Sequence, residues 1–404
     1  MAQSNISAVI DIGSAETKVF IVDLEPQLKI VGAFSAKTEG MRRGEIFNLG
    51  ALKESVHGVI RQAELQAGSA GEIRRACLAV SGTAVGGFAV QGVTSVKSRS
   101  VSAQDERAAE KDALDVCLHR VPENRRIVRR IFRGFRLDRE REIIDPRGLS
   151  GNELFYDMWV VDAEESHLLE LYQIPNRYGM EIDGLFPASL AAAESVRSFS
   201  EMDKNRLVID IGAGTSDFAL FRDGRLALTG VIPVGGEHVT SDISHGLQIR
   251  QEDAERLKLR YAKAIACDED VLAEIDLDTF ECEMKDFSTH VSRYKMELIV
   301  QCRLEELFGL IRKKVEADEP FSGVVQLTGG TSQMLGVCEL AGRIFRSAEV
   351  RAATPNQGFA RNYADPKYAT VVGLAVLYRD ELRTRRKSAG PAGGLRRFLK
   401  KIIS

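Results

Sequence analysis

The sequence predicts an α/β protein of two half-domains facing each other across a phosphate-binding cleft, and three observations carry that prediction. Residues 8–22 (AVIDIGSAETKVFIV) and 207–221 (LVIDIGAGTSDFALF) are versions of one pattern. Each has an apolar run, then Asp, an apolar residue, Gly and small polar residues, then a second apolar run. A third turn, in 324–331 (VVQLTGGT), again places glycines, Gly329 and Gly330, after an apolar run. Runs of this length suit buried strands, and Gly13, Gly212 and Gly214 permit a turn whose backbone N–H groups point outward at an anion. Asp11 and Asp210 end the two leading strands. If the halves face one another, these carboxylates lie across from each other, placed to hold the water shell of a Mg²⁺ ion bound to that phosphate. A single such turn has an ordinary alternative, because hairpins use Asp and Gly for local reasons; the repeat and the third turn favour the site.

The chain has 404 residues, 44% hydrophobic and 28% charged, enough for two or three domains and a sizeable core. A net charge of -3 offers no global case for nucleic-acid binding. The basic residues are unevenly placed, however: residues 383–404 hold eight Lys and Arg and no acid. Cys77, Cys117, Cys267, Cys282, Cys302 and Cys338 lack any C-x-x-C spacing and are expected to be free thiols in a reducing compartment. No signal-like segment opens the sequence and no apolar run has transmembrane length, so a cytoplasmic location is expected.

After the first hairpin, 29–35 reads as a strand and 40–48 (GMRRGEIFN) as a turn-rich link. Residues 49–67 form an amphipathic helix with Leu52, Val56, Val59, Ile60 and Ala63 at helical spacing, stopped by Gly68 and Gly71. The strand 77–82 (CLAVSG) completes the first α/β unit. From 85 to about 161 the pattern becomes that of a small α+β insertion. It holds a strand from 85, a helix at 102–120 capped by Ser102 with Asp105 at the third position, a strand at 127–137, a turn at 145–151 (DPRGLSG) and a strand at 154–162. Arg125, Arg126, Arg129, Arg130, Arg133, Arg136, Arg139 and Arg141 make it locally basic. They form either a solvated strand face or a contact surface for an acidic partner or a neighbouring copy.

A helix at 166–177, a strand at 180–186 and a helix at 187–197 follow, the last with alanines that allow close packing. Beyond the second loop, 231–241 (VIPVGGEHVTS) sets Gly235 and Gly236 at a helix opening, a phosphate-proximal turn. Residues 251–264 read as a helix and 267–287 as acidic and irregular. The long helix at 292–316 spaces Met296, Ile299, Val300, Arg303, Leu307, Leu310 and Ile311 for burial on one side. The last regular domain helix is 367–381, and 384–394 has the composition of a flexible linker. In 393–404 (GGLRRFLKKIIS), Leu395, Phe398, Leu399, Ile402 and Ile403 form one apolar stripe opposite Arg396, Arg397, Lys400 and Lys401. That is the pattern of a membrane-surface helix attracted to anionic lipid. The alternative, docking on its own domain or a partner, is disfavoured by the Gly/Pro-rich stretch ahead of it.

The segments RRGEIFNLGALKESV, VSGTAV, DPRGLSG, IDIGAGTSDFALF, PVGGEHVTSDIS, AERLK, LTGG and DPKYATVVGLAVLY occur in the order seen in the FtsA family of bacterial cell-division proteins. From about 8 to 380 the chain resembles that family, a branch of the actin-like ATPase superfamily. The resemblance implies an actin-like ATPase fold with two α/β halves around a nucleotide cleft and a 1C-type insertion. It divides the chain into subdomain 1A (1–82 and 166–203), 1C (83–165), 2A (204–240 and 304–368) and 2B (241–303), then a closing helix (369–382), a linker (383–392) and a membrane-targeting helix (393–404).

The resemblance also implies ATP and Mg²⁺ as ligands. Asp11, Gly13, Ser14, Thr17 and Lys18 would serve from the first loop, and Asp210, Gly212, Ala213, Gly214 and Thr215 from the second, with Gly235 and Gly236 beside them. Gly329 and Gly330 would lie against the adenosine, which Glu255 and Lys258 would contact; at i,i+3 this pair is also an ordinary helix-surface ion pair. Relatives carry an acid or amide just before the helix at 187–197 to orient the attacking water. Phe186 stands there, which implies at most a slow ATPase and no catalytic residue to name. The implied function is a nucleotide-controlled adaptor that tethers FtsZ filaments to the cytoplasmic face of the membrane at the division site and self-associates into filaments alongside other divisome proteins. Arg303 would meet the FtsZ C-terminal peptide, or would only cover apolar surface. Two rivals are a PilM-like pilus-assembly protein, which shares the insertion and loops, and a sugar kinase or polyphosphate hydrolase, which needs a general base that the sequence does not offer.

Overall fold

The computed structural model describes residues 5–388 apart from 70, 99, 139–140, 144, 198–203 and 278–289. The predicted membrane-surface helix at 393–404 and Cys282 lie outside the described residues. The first loop joins β1 (Ile6–Ile12) to β2 (Glu16–Asp23), antiparallel from Ile6 opposite Asp23 to Ile12 opposite Thr17. β3 (Lys29–Lys37) continues the meander. The expected turn-rich link carries a small hairpin, β4 (Met41–Arg42) and β5 (Glu45–Ile46). The Asn48 side chain caps α1 (Leu49–Gln66) by accepting from the Ala51 N–H, and the helix buries the predicted Leu52, Val56, Val59, Ile60 and Ala63. β6 (Arg75–Val80) returns parallel to β1.

The insertion then builds its own antiparallel sheet. Its elements are β7 (Val85–Ser95), α2 (Ala103–Arg120), β8 (Arg125–Leu137), β9 (Arg141–Ile143) and β10 (Glu153–Glu164), in the strand order β7-β10-β8-β9. Ser102 and Asp105 form a capping box, and α2 buries Ala109, Ala113 and Cys117. Its arginines are largely partnered rather than solvated: Arg125 pairs with Asp162, Arg126 with Glu165, Arg129 with Glu381 and Arg136 with Asp157. α3 (Glu165–Arg177), β11 (Glu181–Pro187) and α4 (Ala188–Ser195) follow. β11 pairs parallel to β6, giving the first half the order β11-β6-β1-β2-β3.

In the second half, β12 (Arg206–Ile211), β13 (Ser216–Arg222) and β14 (Arg225–Ile232) repeat that meander. α5 (Gly236–Leu247), α6 (Gln251–Tyr261), β15 (Glu274–Asp276), β16 (His290–Ser292) and α7 (Arg293–Val315) lead to β17 (Val324–Thr328), α8 (Val337–Ile344) and β18 (Glu349–Ala352). The sheet order β14-β13-β12-β17-β18 has the connectivity of the first half. The repeated hairpin is therefore the visible part of a repeated sheet. α9 (Ala369–Ser388) crosses back and packs Val371, Val372, Leu374, Ala375 and Tyr378 against the first half. The five described cysteines are free thiols.

Three expectations change. α7 buries Met296, Val300, Leu304, Leu307, Phe308, Ile311 and Val315, whereas Leu310 is 40% exposed; α5 and α8 flank this helix, which rotates and widens its covered face. α6 stops at Tyr261, short of 264, where Ala262 turns extended and Lys263 bridges to Leu335. The stretch expected to begin a linker at 383 is helical to Ser388. Arg383 pairs with Glu25, Arg385 with Asp183 and Glu381, and Arg386 donates to Asn5 Oδ1, and cations in a last helical turn also complement the helix dipole. The boundaries drawn at 240/241, 303/304 and 382/383 thus fall inside α5, α7 and α9.

The insertion touches both halves. Arg129 donates to the Leu185 carbonyl (2.8 Å) and lies 3.7 Å over the Phe186 ring. On the other side the indole of Trp159 donates to Thr229 Oγ1 of β14 at 3.0 Å.

Candidate functional site

Each of the two matched loops is closed by one backbone bond, Gly13 N–H to Glu16 O (3.1 Å) in the first and Gly212 N–H to Thr215 O (3.0 Å) in the second. A Cβ on Gly13 would stand 2.9 Å and one on Gly212 3.0 Å from that carbonyl oxygen, so a larger residue would push each turn open. The loops converge. At Gly214 a Cβ would sit 2.3 Å from Ser14 Oγ, 2.6 Å from the Gly44 nitrogen and 2.7 Å from Arg43 Cα. Gly235 packs on the carbonyls of Gly212 and Ala213, and Gly236 N–H donates to Gly212 O at 3.0 Å. Thr331 Oγ1, beside Gly330, donates to the same carbonyl at 3.0 Å. Gly329, at φ +86°, lies so close to Asp210 that a Cβ would be 2.2 Å from Oδ1.

The carboxylates meet as expected, with an addition. Asp11 lies 3.5 Å from Lys18 Nζ, opposite it in the β1–β2 register. In the second hairpin the residue opposite Asp210 is Asp217, an acid where the first has a lysine. Ser81 Oγ, from the first half, donates to Asp217 Oδ2 at 2.6 Å, and Thr370 Oγ1 of α9 donates to Asp210 Oδ2 at 2.7 Å. Burial raises the Asp217 carboxyl to about 7, with Asp210 and Asp11 adding to the shift and the Ser81 and Thr215 hydroxyls opposing it. Burial likewise raises Asp210 to about 6, against the Thr370 hydrogen bond. Asp11 is also raised by burial, with Lys18 opposing. Of these three acids Asp217 is buried and Asp11 and Asp210 are half-buried, and Lys18 is the cation paired with Asp11. Among the described residues no group of three or more His, Cys, Asp or Glu is placed to ligate a metal directly.

Asp217→Asn is expected to stabilise the ligand-free protein above pH 7 and to change little near pH 4. A carboxyl whose folded pKa lies above its unfolded value binds more protons when folded, so stability falls as pH rises between the two. Thermal melts of both proteins from pH 4.5 to 8 check this; a difference that does not grow with pH removes Asp217 from the account.

Other candidates are placed differently. Thr17 is fully buried and shares its hydroxyl with Thr38 at 2.8 Å; its side chain points into the core, not the cleft, because it occupies the inward position of β2. Lys258 Nζ reaches the Gly236 carbonyl (3.1 Å), Thr240 Oγ1 (2.8 Å) and Glu255 (2.7 Å), so the Glu255–Lys258 pair is both an i,i+3 ion pair and a neighbour of the glycine turn. Phe186 is almost wholly buried beneath Arg129. Arg303, a quarter exposed, is held by Asp242 (2.5 and 3.1 Å) and by Glu306.

Four residues at the cleft were missed by sequence reasoning. Asp217 had a usable signal, its alignment with Lys18 in the repeat. Arg43 stands between two glycines of positive φ, Gly40 and Gly44. Ser81 and Thr370 had none, because each arrives from a strand or helix far away in sequence.

Comparison with known proteins follows the same lines. Residues 207–373 match the family model "Cell division protein FtsA", and residues 82–162 match "SHS2 domain inserted in FTSA". The cell division protein FtsA of Bacillus subtilis (strain 168) is 31% identical over 383 residues, 93% of this chain and 83% of that one. That of Neisseria meningitidis serogroup B is 27% identical, covering 92% and 90%. Among solved structures, a PilM-PilN type IV pilus biogenesis complex aligns with TM-score 0.64 at 16% identity over 92% of this chain and 98% of that one. MreB 5 of Spiroplasma citri bound to AMPPNP aligns with TM-score 0.54 at 11% identity over 96% and 99%. These structural likenesses show an actin-like ATPase fold with two mixed α/β halves.

Proposed function

The chain belongs to the FtsA family of cell-division proteins, and from that premise we propose that it is an ATP-binding adaptor tethering FtsZ filaments to the cytoplasmic face of the membrane at the division site. The observation that carries the nucleotide part is the meeting of four glycine-lined turns around Asp11, Asp210, Asp217 and Lys18 between the halves. Backbone N–H groups and Lys18 suit phosphate, and the carboxylates suit the water shell of Mg²⁺. Bound Mg²⁺ would neutralise phosphate charge. Glu255 and Lys258, which adjoin Gly236, would contact the adenosine end of the nucleotide. Hydrolysis would be slow, since the buried Phe186 offers no group to orient water. Calorimetric titration of the full chain with Mg²⁺ and ATP tests the reading; absence of binding at millimolar nucleotide would sink it.

Membrane attachment is assigned to residues 393–404 on their sequence pattern. No helix among the described residues is long and apolar enough to cross a membrane. Self-association into rows on lipid is part of the same reading, and electron microscopy showing only isolated molecules over a wide concentration range would count against it.

For the FtsZ C-terminal peptide we place the contact near Arg303. Arg303→Glu would put a third acid beside Asp242 and Glu306, and is expected to abolish peptide binding while ATP binding persists. Equal peptide affinity of variant and wild type by fluorescence anisotropy removes Arg303 from the interface.

A further inference from the structure

We propose that Arg43 reads the terminal phosphate of the bound nucleotide and so distinguishes a triphosphate from a diphosphate. This rests on the nucleotide reading of the cleft. Arg43 belongs to the first half, in the β4–β5 hairpin, yet its side chain lies on the second: Nη2 donates to Ser241 Oγ at 3.2 Å, and its backbone N–H donates to Glu237 Oε2 at 3.2 Å. Its Cα rests against Gly214, and the next residue, Gly44, donates its N–H to Ser14 Oγ at 2.8 Å. The hairpin is thus seated on both phosphate loops at once.

Two features set Arg43 apart from a simple strap. Its φ is +52°, a left-handed conformation that side chains other than Gly, Asn and Asp adopt at a cost. Its Nε is buried and donates to no group among the described residues. An unused N–H on a permanently charged group is costly away from water, and an anionic oxygen beside the loops would satisfy it. Arginine suits that task because its planar fork binds phosphate oxygens with more than one N–H. With Lys18 beside Asp11 and Arg43 beside Gly214, the β- and γ-phosphates would each have their own cation.

The test uses the full chain with Mg²⁺-ATP and Mg²⁺-ADP in parallel titrations. Arg43→Asn removes the guanidinium while tolerating the left-handed backbone, and is expected to weaken ATP roughly ten- to a hundredfold, the range for one charge-assisted hydrogen bond, with ADP little changed. Arg43→Lys should recover part of the ATP affinity. Ser241→Ala removes only the present side-chain partner and should leave the ATP-to-ADP ratio at or above that of wild type. Parallel loss of ATP and ADP in Arg43→Asn would show a hairpin clamp without phosphate discrimination and overturn the proposal, as would no loss of either. If the wild type binds neither nucleotide, the reading of the cleft itself falls; if it binds both and only the ratio fails to change, Arg43 alone is misassigned.

Discussion

A chain ending at Ser388 is expected to stay folded and bind nucleotide but to lose binding to anionic liposomes. The cut spares Arg383, Arg385 and Arg386, whose pairs with Glu25 and Asp183 and bond to Asn5 hold the end of α9 on the first half. It removes Arg396, Arg397, Lys400 and Lys401 together with the apolar stripe opposite them. Each basic residue near an anionic surface contributes about 1 kcal/mol, so four give roughly 4 kcal/mol, about a thousandfold in partition, before the apolar side chains enter the interface. Only residues 389–392 separate α9 from the predicted helix, a reach of about 14 Å, which would hold the first half close to the bilayer. Leu399→Glu should lose binding as well, by placing a charge in the stripe, and added salt should weaken wild-type binding only in part. Co-sedimentation decides: if the shortened chain pellets with liposomes as the full chain does, the tail is not the anchor.

Gly373→Ala is expected to destabilise the protein by about 3 kcal/mol, the upper part of the usual range for overpacking. Gly373 lies where α9 crosses α4, and a Cβ there would stand 1.6 Å from the Ala191 carbonyl oxygen and 3.0 Å from the Ser195 nitrogen. Both are backbone atoms, so no rotamer change makes room. Ala188 and Ala191 of α4 pack in one core cluster with Val371, Val372, Leu374 and Ala375 of α9. The chain passes between the halves at these two helices, so a forced separation would also disturb the cleft. Gly309→Ala in α7 is the control: no atom of the described residues lies within 4 Å of the added Cβ, and it should gain up to about 1 kcal/mol from helix propensity. Urea denaturation of the three proteins measures both effects, and a Gly373→Ala chain as stable as wild type would refute the close crossing.

What the sequence by itself determined is local. The two loop hairpins, the amphipathic helix that starts at 49, the capped helix at Ser102 and the glycine turns follow from residue-scale rules of period, φ and capping, and they appear where those rules place them. The tertiary structure decided what those elements bring together. It turned the Thr17 hydroxyl to Thr38, carried α9 past 382 by pairing its arginines with carboxylates far away in the chain, and set Ser81, Thr370 and Arg43 against loops on the other half. A residue's period says which side of its element it faces. It does not say what stands opposite, because that depends on how two sheets, each folded from its own stretch of chain, pack across a cleft.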